Sequence, residues 1–536
     1  MRTPTRLLPL AIAAALALPL SATAGRFDQH PATTRALGLI DANPALVKRN
    51  AGDAFVARDV VVDANGTQHV RLDRTYRGLP VIGGDVVLHL ANGRAKGASQ
   101  TLRTSARPAM NARVSGDQAT VIAGADFGAD FSGIQDARKV IYARGANPVL
   151  AWEVAFVGTK ANQDPTEMHY VVDAGSGRIL DKWDQIHTAR TNKGKPGGGG
   201  GGGGSTCNTS ATGTGRTLTL GNVAINTAGC SDGTFQMKDL VRGGGYTTDL
   251  ANRTSGSGTI FTDADNIWGD NTLSNRATVG ADAHYGVSET WDYFKNIHGR
   301  NGIANDGKGA LSRVHYGRNY VNAFWSDSCF CMTFGDGGGS YVPLVAIDVA
   351  GHEMSHGVTS RSANLIYSGE SGGLNEATSD IFGTMVEFNT NSSADVPDYL
   401  IGEEIYASNP GNSKALRFMY NPNLDGSSPN CYSSGLGSLD VHYSSGVANH
   451  FFYLLAEGSG AKSFSNGTVT SPTCNGSSIT GIGRAQAQKI WYRALTVYMT
   501  SNTNYAGARA ATLSAASDLG YSTSAVAAAW SAVGVN

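Results

Sequence analysis

Hydrophobic positions change rhythm three times along this chain. From Asp59 to Gly97, "DVVVDANGTQHVRLDRTYRGLPVIGGDVVLHLANGRAKG" alternates short Val/Leu-rich runs with turn signals at Asn65-Gly66 and Asn92-Gly93. That pattern predicts hairpins of an antiparallel sheet. A second such stretch, "LAWEVAFVG" followed by "MHYVVDAGSGRILDKWDQ", turns at Gly175-Ser176-Gly177. The rhythm then stops: Gly197 to Gly204 are eight consecutive glycines between "NKGKP" and "STCNTSATGTG". Nothing there can bury a core, so the segment reads as a flexible, easily cut linker. After it come short strand-like runs rich in Gly, Asn and Thr. From about Pro343 the period becomes helical, in "VPLVAIDVAGHEMSHGV" and "SGGLNEATSDIFGTMVEF", and it stays helical from "VANHFFYLLAEG" to "TSAVAAAWSAVG". The fold class expected is α+β, strands leading and helices following.

Length and composition sharpen this picture. A chain of 536 residues divides into two or three folded units. Its 42 basic and 43 acidic residues leave a formal net charge of -1, with no electrostatic footprint for nucleic acid. The opening "MRTPTRLLPLAIAAALALPLSATA" has Arg2, Arg6, an apolar run from Leu7 to Leu20 and small residues at Ala22 and Ala24. It reads as a secretory signal peptide cut after Ala24, and the expected location is extracellular. No later run is long and apolar enough to span a membrane. Six cysteines, all beyond residue 200, suggest disulfides in an exported protein, with about 15 pairings open.

The candidate chemistry lies in "VAGHEMSHGV", where His352 and His356 stand four apart with Glu353 between them. On a helix, residues four apart share a face, so both rings can reach one metal ion, while Glu353 is rotated about 100° from His352. A hydrolytic zinc site needs a third protein ligand and an open position. Glu376, with nineteen residues between it and His356, opens the next helix in "GGLNEATSD" and can supply it. Asp380 is four residues further on the same face, placed to hydrogen-bond a ligating histidine, and Asn375 is a second such supporting candidate. A metzincin would need a histidine where Ser362 stands, and the Gly-x-Met-Glu-Asn segment of gluzincin aminopeptidases is absent. A binding protein or adhesin with a vestigial metal site is the rival reading.

"DVAGHEMSHGVTSRSANLIYSGESGGLNEATSDIFG" resembles the zinc helix pair of the thermolysin family, especially its pseudolysin and vibriolysin branch. The resemblance extends through "VHYGRNYVNAFW", "YLIGEEI", "ALRFM" and "LDVHYSSGVANHFFYLL", covering the chain from about residue 210 to Asn536. Upstream, "HVRLDRTYRGLPVIGGDVVLHL" resembles that family's propeptide motif, and "AWEVAFV" with "HYVVDAGSGRIL" its PepSY-like segment. The implied organisation is a signal peptide (1–24), a β-rich propeptide (25–190) and a Gly-rich linker holding the maturation site (191–209). A strand-rich catalytic lobe (210–350) and a helical lobe (351–536) follow, with zinc in the cleft and a mature N-terminus between about 190 and 212.

Carried over position by position, the resemblance makes His352, His356 and Glu376 ligands of one zinc ion and Glu353 the general base. Tyr367 and His442 become donors to the developing oxyanion, with Asp440 orienting His442. Arg417 would hold a substrate carbonyl, and Asn322 and Ala323 would pair with an extended peptide. Leu344, Val349, Ile401 and Leu416 match a pocket for a bulky hydrophobic residue on the carboxyl side of the cut bond. Asp348, Glu387, Asp398 and the carbonyl of Leu400 match a structural calcium site, and oxygen-only ligation suits that ion. Thr384 departs from the branch, which has a glutamate there. The implied activity is that of a monomeric secreted endopeptidase acting on proteins or peptides. Its propeptide would serve as intramolecular chaperone and inhibitor. Neither nucleic acid nor, after signal removal, a membrane would be a partner. His284, His315 and His450 have no partner at ligand spacing and read as ordinary histidines.

Overall fold

The computed structural model describes residues 25–128, 131–160, 162–189, 206–409 and 412–536. The expected signal sequence and glycine run lie outside these residues. Before the linker, the hairpins form as expected. Asp53–Val62 pairs antiparallel with Gln68–Tyr76 across the Asn65-Gly66 turn. Val86–Ala91 pairs with Arg94–Gln100, and Asn92 and Gly93 take φ of 51° and 72°, the left-handed pair that a tight two-residue hairpin requires. Gly177, at φ 77°, turns Pro165–Asp173 into Ile179–Asp184. These strands join one ten-stranded sheet. Its two halves meet at a parallel contact between Leu79–Ile82 and Arg138–Tyr142. Helices Pro31–Ala42 and Gly116–Phe127 cover it, and the second is closed by a Ser115/Gln118 capping box.

A seven-stranded sheet carries Ala323–Ser326, flanked by Cys331–Gly335 on one side and by Ile186–Ala189, from before the linker, on the other. A five-stranded sheet runs through Cys207–Arg216 and Asn222–Cys230. The strand-rich lobe also contains a 23-residue helix, Arg276–His298, which the sequence reading did not single out. Its sequence is rich in Gly, Ala, Thr and His and its face is buried under the sheets, so no apolar stripe announces it. Asn275 caps its start and Gly299, at φ 68°, ends it. The cysteines pair as Cys207–Cys230, Cys329–Cys331 and Cys431–Cys474. Among the described residues no helix is long and apolar enough to cross a membrane.

Two central helices, Ile347–Ser360 and Gly369–Thr390, pack backbone to backbone. Every residue of the first is buried, so the polar groups on one of its faces, Asp348, His352 and His356 among them, must find their partners inside the protein. A Cβ on Gly351 would lie 2.9 Å from the Cα of Gly383, and one on Gly383 would lie 2.5 Å from the carbonyl oxygen of Asp348. The helical core beyond them is aromatic, with Phe451 stacked on Trp530 at 3.7 Å between centroids. Gly383→Ala should therefore force the helices apart and lower the thermal midpoint by overpacking worth roughly 1–3 kcal/mol. Gly38→Ala, on an exposed helix face with nothing within 4 Å, should not. Thermal unfolding of both variants checks this.

Candidate metal centre and cleft

The close helix pair brings His352, His356 and Glu376 together, fully buried, with one ligand atom from each inside a common 4.8 Å span. His352 Nδ1 donates to Asp380 Oδ1 at 2.9 Å, and His356 Nδ1 donates to Asn375 Oδ1 at 2.8 Å. Asp380 and Asn375, both named from sequence as supporting candidates, are thus the partners of the two Nδ1 atoms. With both Nδ1 atoms donating, each neutral ring points an Nε2 lone pair inward, and the two Nε2 atoms lie 3.0 Å apart. Two facing lone pairs at that distance repel unless a cation lies between them. Glu376 approaches the rings at 3.3 and 3.6 Å, and its Oε2 is buried without a hydrogen-bond partner. Ligands about 2.0–2.1 Å from one tetrahedral zinc stand about 3.4 Å from each other, so the donor set fits that ion.

Glu353 adjoins the cluster, fully buried, with neither carboxylate oxygen hydrogen-bonded. Burial, reinforced by the Glu376 charge, holds its carboxyl well above the ordinary range. Burial also works to raise Glu376, but His442, His352 and His356 pull it well below. Asp380 is drawn down by Arg417, which clamps it through Nε at 2.7 Å and Nη2 at 2.6 Å, and Asn449 adds a third donor at 2.7 Å.

Across the cleft, Tyr367 donates its hydroxyl to Glu376 and lies 3.2 Å from His442 Nε2. Asp440 accepts from His442 Nδ1 at 2.6 Å. Burial alone would lower the His442 pKa, but the Glu376 and Asp440 carboxylates raise it. Leu416, Arg417, Phe418, His442 and Tyr443 line a cleft of about 590 Å³. Of the four apolar pocket residues, Leu416 faces this cleft, while Leu344, Val349 and Ile401 lie buried in the core.

What fills the other side of the cleft could not be read along the chain. Strand Ile186–Ala189, from before the linker, pairs antiparallel with Ala323–Ser326, placing Ala189 opposite Ala323, Thr188 opposite Phe324 and His187 opposite Trp325. His442 Nε2 donates to the carbonyl oxygen of Thr188. The buried His187 ring stacks on Tyr367 at 4.3 Å and meets His356 edge-on at 4.8 Å. Asn322 donates its Nδ2 to Asp164 at 3.0 Å and accepts from the backbone of Ala323. The two expected substrate-pairing residues are thus occupied by the chain's own N-terminal half.

A second buried group converges behind the helices: Glu387, Asp398 and Glu403. Asp348 adjoins it, but both of its oxygens accept backbone N–H groups, from Val349 and Gly402. Leu400 donates its own N–H to Asp398. Glu403 was missed, although it sits in the "YLIGEEI" segment, because one carboxylate in a short 3-10 turn carries no spacing signal. Thr384 is buried and donates to Met419 Sδ, so no carboxylate is supplied there. Burial and mutual repulsion raise Glu387 and Glu403 well above their usual range, Asp348 to about 6 and Asp395 to about 8. The three histidines read as ordinary stay out of both groups. His284 and His450 bond to backbone and hydroxyl groups, and His315 to Asp336 at 2.5 Å.

Comparison with known proteins shows the family that the chain belongs to. Residues 212–360 match the thermolysin metallopeptidase catalytic domain, 363–535 its alpha-helical domain, and 53–102 the fungalysin/thermolysin propeptide motif. The chain is 48% identical over 475 residues to the transglutaminase-activating metalloprotease of Streptomyces mobaraensis, covering 88% of this chain and 59% of that one. It is 38% identical over 498 residues to the thermolysin of Alicyclobacillus acidocaldarius subsp. acidocaldarius, covering 88% and 84%. A solved precursor of protealysin from Serratia proteamaculans is 30% identical, with a TM-score of 0.42, over 55% of this chain and 87% of that one.

The acidic group makes a checkable statement about pH. Carboxyls whose folded pKa lies above the unfolded value bind protons in the folded state, so stability falls as pH rises from about 4 through the Asp395 value of about 8. Chelator-treated protein should therefore melt at progressively lower temperature between those limits. Calcium should cancel the fall, adding about 2.7 kcal/mol at a hundredfold excess over its Kd. Melting curves across pH, with and without calcium, test both halves.

Proposed function

The chain belongs to the thermolysin family of metallopeptidases, and from that premise we propose that it is a secreted zinc endopeptidase made as a self-inhibited precursor. The observation that carries the reading is the convergence of His352, His356 and Glu376 beside an unpartnered, buried Glu353. A binding protein with a vestigial site would have no use for that carboxylate, nor for the donors across the cleft. Zinc held by the three ligands would polarise the substrate carbonyl and lower the pKa of water at the open position.

The chain's own residues do the rest. Glu353 accepts a proton from the attacking water and delivers it to the leaving nitrogen, and its dry surroundings make it a strong acceptor. Tyr367 and His442 donate to the carbonyl oxygen as it gains charge, and Asp440 keeps the His442 ring in place. The bond from His442 to the Thr188 carbonyl supports this reading, since His442 already serves one carbonyl oxygen as donor. Arg417 spends Nε and Nη2 on Asp380, leaving Nη1 for a substrate carbonyl. Asn322 and Ala323 pair with the extended substrate, and Leu416 lies at the pocket for its bulky hydrophobic residue. Glu387, Asp398 and Glu403 could hold a calcium ion, which would brace the helix Gly369–Thr390.

Residues 25–190 act as the propeptide. They inhibit by laying Ile186–Ala189 along the strand a substrate would use. Buried contacts support a role in folding: Arg71 donates to the carbonyls of Met499 and Thr496, and Asp85 accepts from Ser501. Maturation then cuts the chain close to the Thr188 carbonyl or within the following linker.

Glu353→Gln should retain one zinc, lose peptide hydrolysis and remain full length, while wild-type protein shortens to an N-terminus near Ala189 or within about 190–212. Metal analysis, peptide turnover and N-terminal sequencing check this, and substantial turnover by the variant would remove Glu353 as the base. His442→Ala should lower kcat about 10²–10³-fold with little change in KM, because an oxyanion donor acts mainly in the transition state. A rise confined to KM would make His442 a substrate-positioning residue.

A further inference from the structure

Away from the metal centre, the turn between strands Val149–Thr159 and Pro165–Asp173 enters the catalytic domain. Gln163 at its tip is fully buried, with φ 75°. Its side-chain amide makes a two-point contact with the Arg318 backbone, accepting from N at 3.3 Å and donating to O at 3.2 Å. The Gln163 carbonyl accepts from the Tyr316 hydroxyl at 3.0 Å. Asp164, only 5% exposed, accepts from the Tyr320 hydroxyl at 2.6 Å and from Asn322 Nδ2 at 3.0 Å. Gly317 makes room for the tip: its φ is +67°, and a Cβ there would lie 2.9 Å from Gln163 Oε1.

These groups form a polar socket shaped for a carboxylate next to a primary amide, a chemistry distinct from that of the cleft. Strand Ile186–Ala189 is held by backbone pairing that any extended peptide can make. It also lies beside the bond that maturation breaks, so it frays once the chain is cut. The turn lies far upstream of that bond and is recognised by its side chains. A charged acceptor removed from a buried site strands its donors, which costs more than an ordinary hydrogen bond.

We propose that the Gln163–Asp164 turn, seated among Tyr316, Arg318, Tyr320 and Asn322, is the anchor that keeps the severed propeptide on the enzyme. Asp164 takes the donor that Asn322 would offer a substrate, so the anchor and the substrate compete for one group. The release of activity is then set by how fast this turn leaves its socket, and not by the cut alone. The inference rests on the precursor reading above.

The test uses the full chain and follows two quantities over time: the cut band on a denaturing gel and hydrolysis of a small fluorogenic peptide. Wild-type protein should show a delay between the two. Asp164→Ala should shorten that delay by roughly tenfold or more, as expected for the loss of a charge-assisted hydrogen bond. Gln163→Ala should shorten it in the same direction. After maturation the two variants release an enzyme of wild-type sequence, so their final kcat/KM must equal that of wild type. Tyr320→Phe, which removes only a hydroxyl from the socket, should also shorten the delay, and it decides the matter if the alanine variants do not fold. A wild-type delay in the variants that fold overturns the anchor. Wild-type protein that is never cut, or is active while uncut, overturns the precursor reading instead.

Discussion

Everything catalytic in this molecule depends on two helices that touch without side chains between them. Gly351 and Gly383 let the backbones of Ile347–Ser360 and Gly369–Thr390 meet, and only at that separation do two rings from one helix and a carboxylate from the other share a point. The approach places several ionisable groups in a dry interior, where an unpaired charge is costly. A chain of partners answers this: Arg417 holds Asp380, Asp380 holds His352, and Asn375 ties His356 to the carbonyl of Leu365. Such a network is rigid only when complete, so the residues around the ligands are under nearly the same constraint as the ligands.

That dependence explains what could be read along the chain. The helix pair was legible because its spacing is local: histidines four apart and a carboxylate opening the next helix obey a 3.6-residue period. The family resemblance then named Tyr367, His442 and Asp440, which the structure brings together beside Glu376. Helix Arg276–His298 escaped notice because burial on several sides erases amphipathic periodicity. Glu403 escaped because its partners, Glu387 and Asp398, meet it only through folding. The strand Ile186–Ala189 gave no signal either. "IHTA" is too short to have a rhythm, and its partner strand belongs to another domain.

Among the described residues, the propeptide's contacts with the rest of the chain include three chemically different places. Its sheet meets the helical lobe through buried Arg71 and Asp85, and through Asp63, which pairs with Arg493. Arg144 reaches Ser368, Ser371 and Asn502 near the start of the second metal-site helix. Its last strand and the Gln163–Asp164 turn then occupy the substrate side of the cleft. On the proposed reading, folding support would come from the first two surfaces and inhibition from the third, so the two roles need not share residues.

Adding Ile186–Ala189 to the sheet has one more consequence. A sheet that ends in a free edge offers unpaired backbone groups to any neighbouring molecule, and natural edges are blunted with charges, prolines or bulges. Here Ala-Phe-Trp-Ser has none of these, as would suit an edge that holds substrates by their backbones. In this structure the strand Ile186–Ala189 caps it. On the proposed reading, the precursor would be the form suited to crowding and high concentration, and the freed protease the form prone to self-association by edge-to-edge pairing.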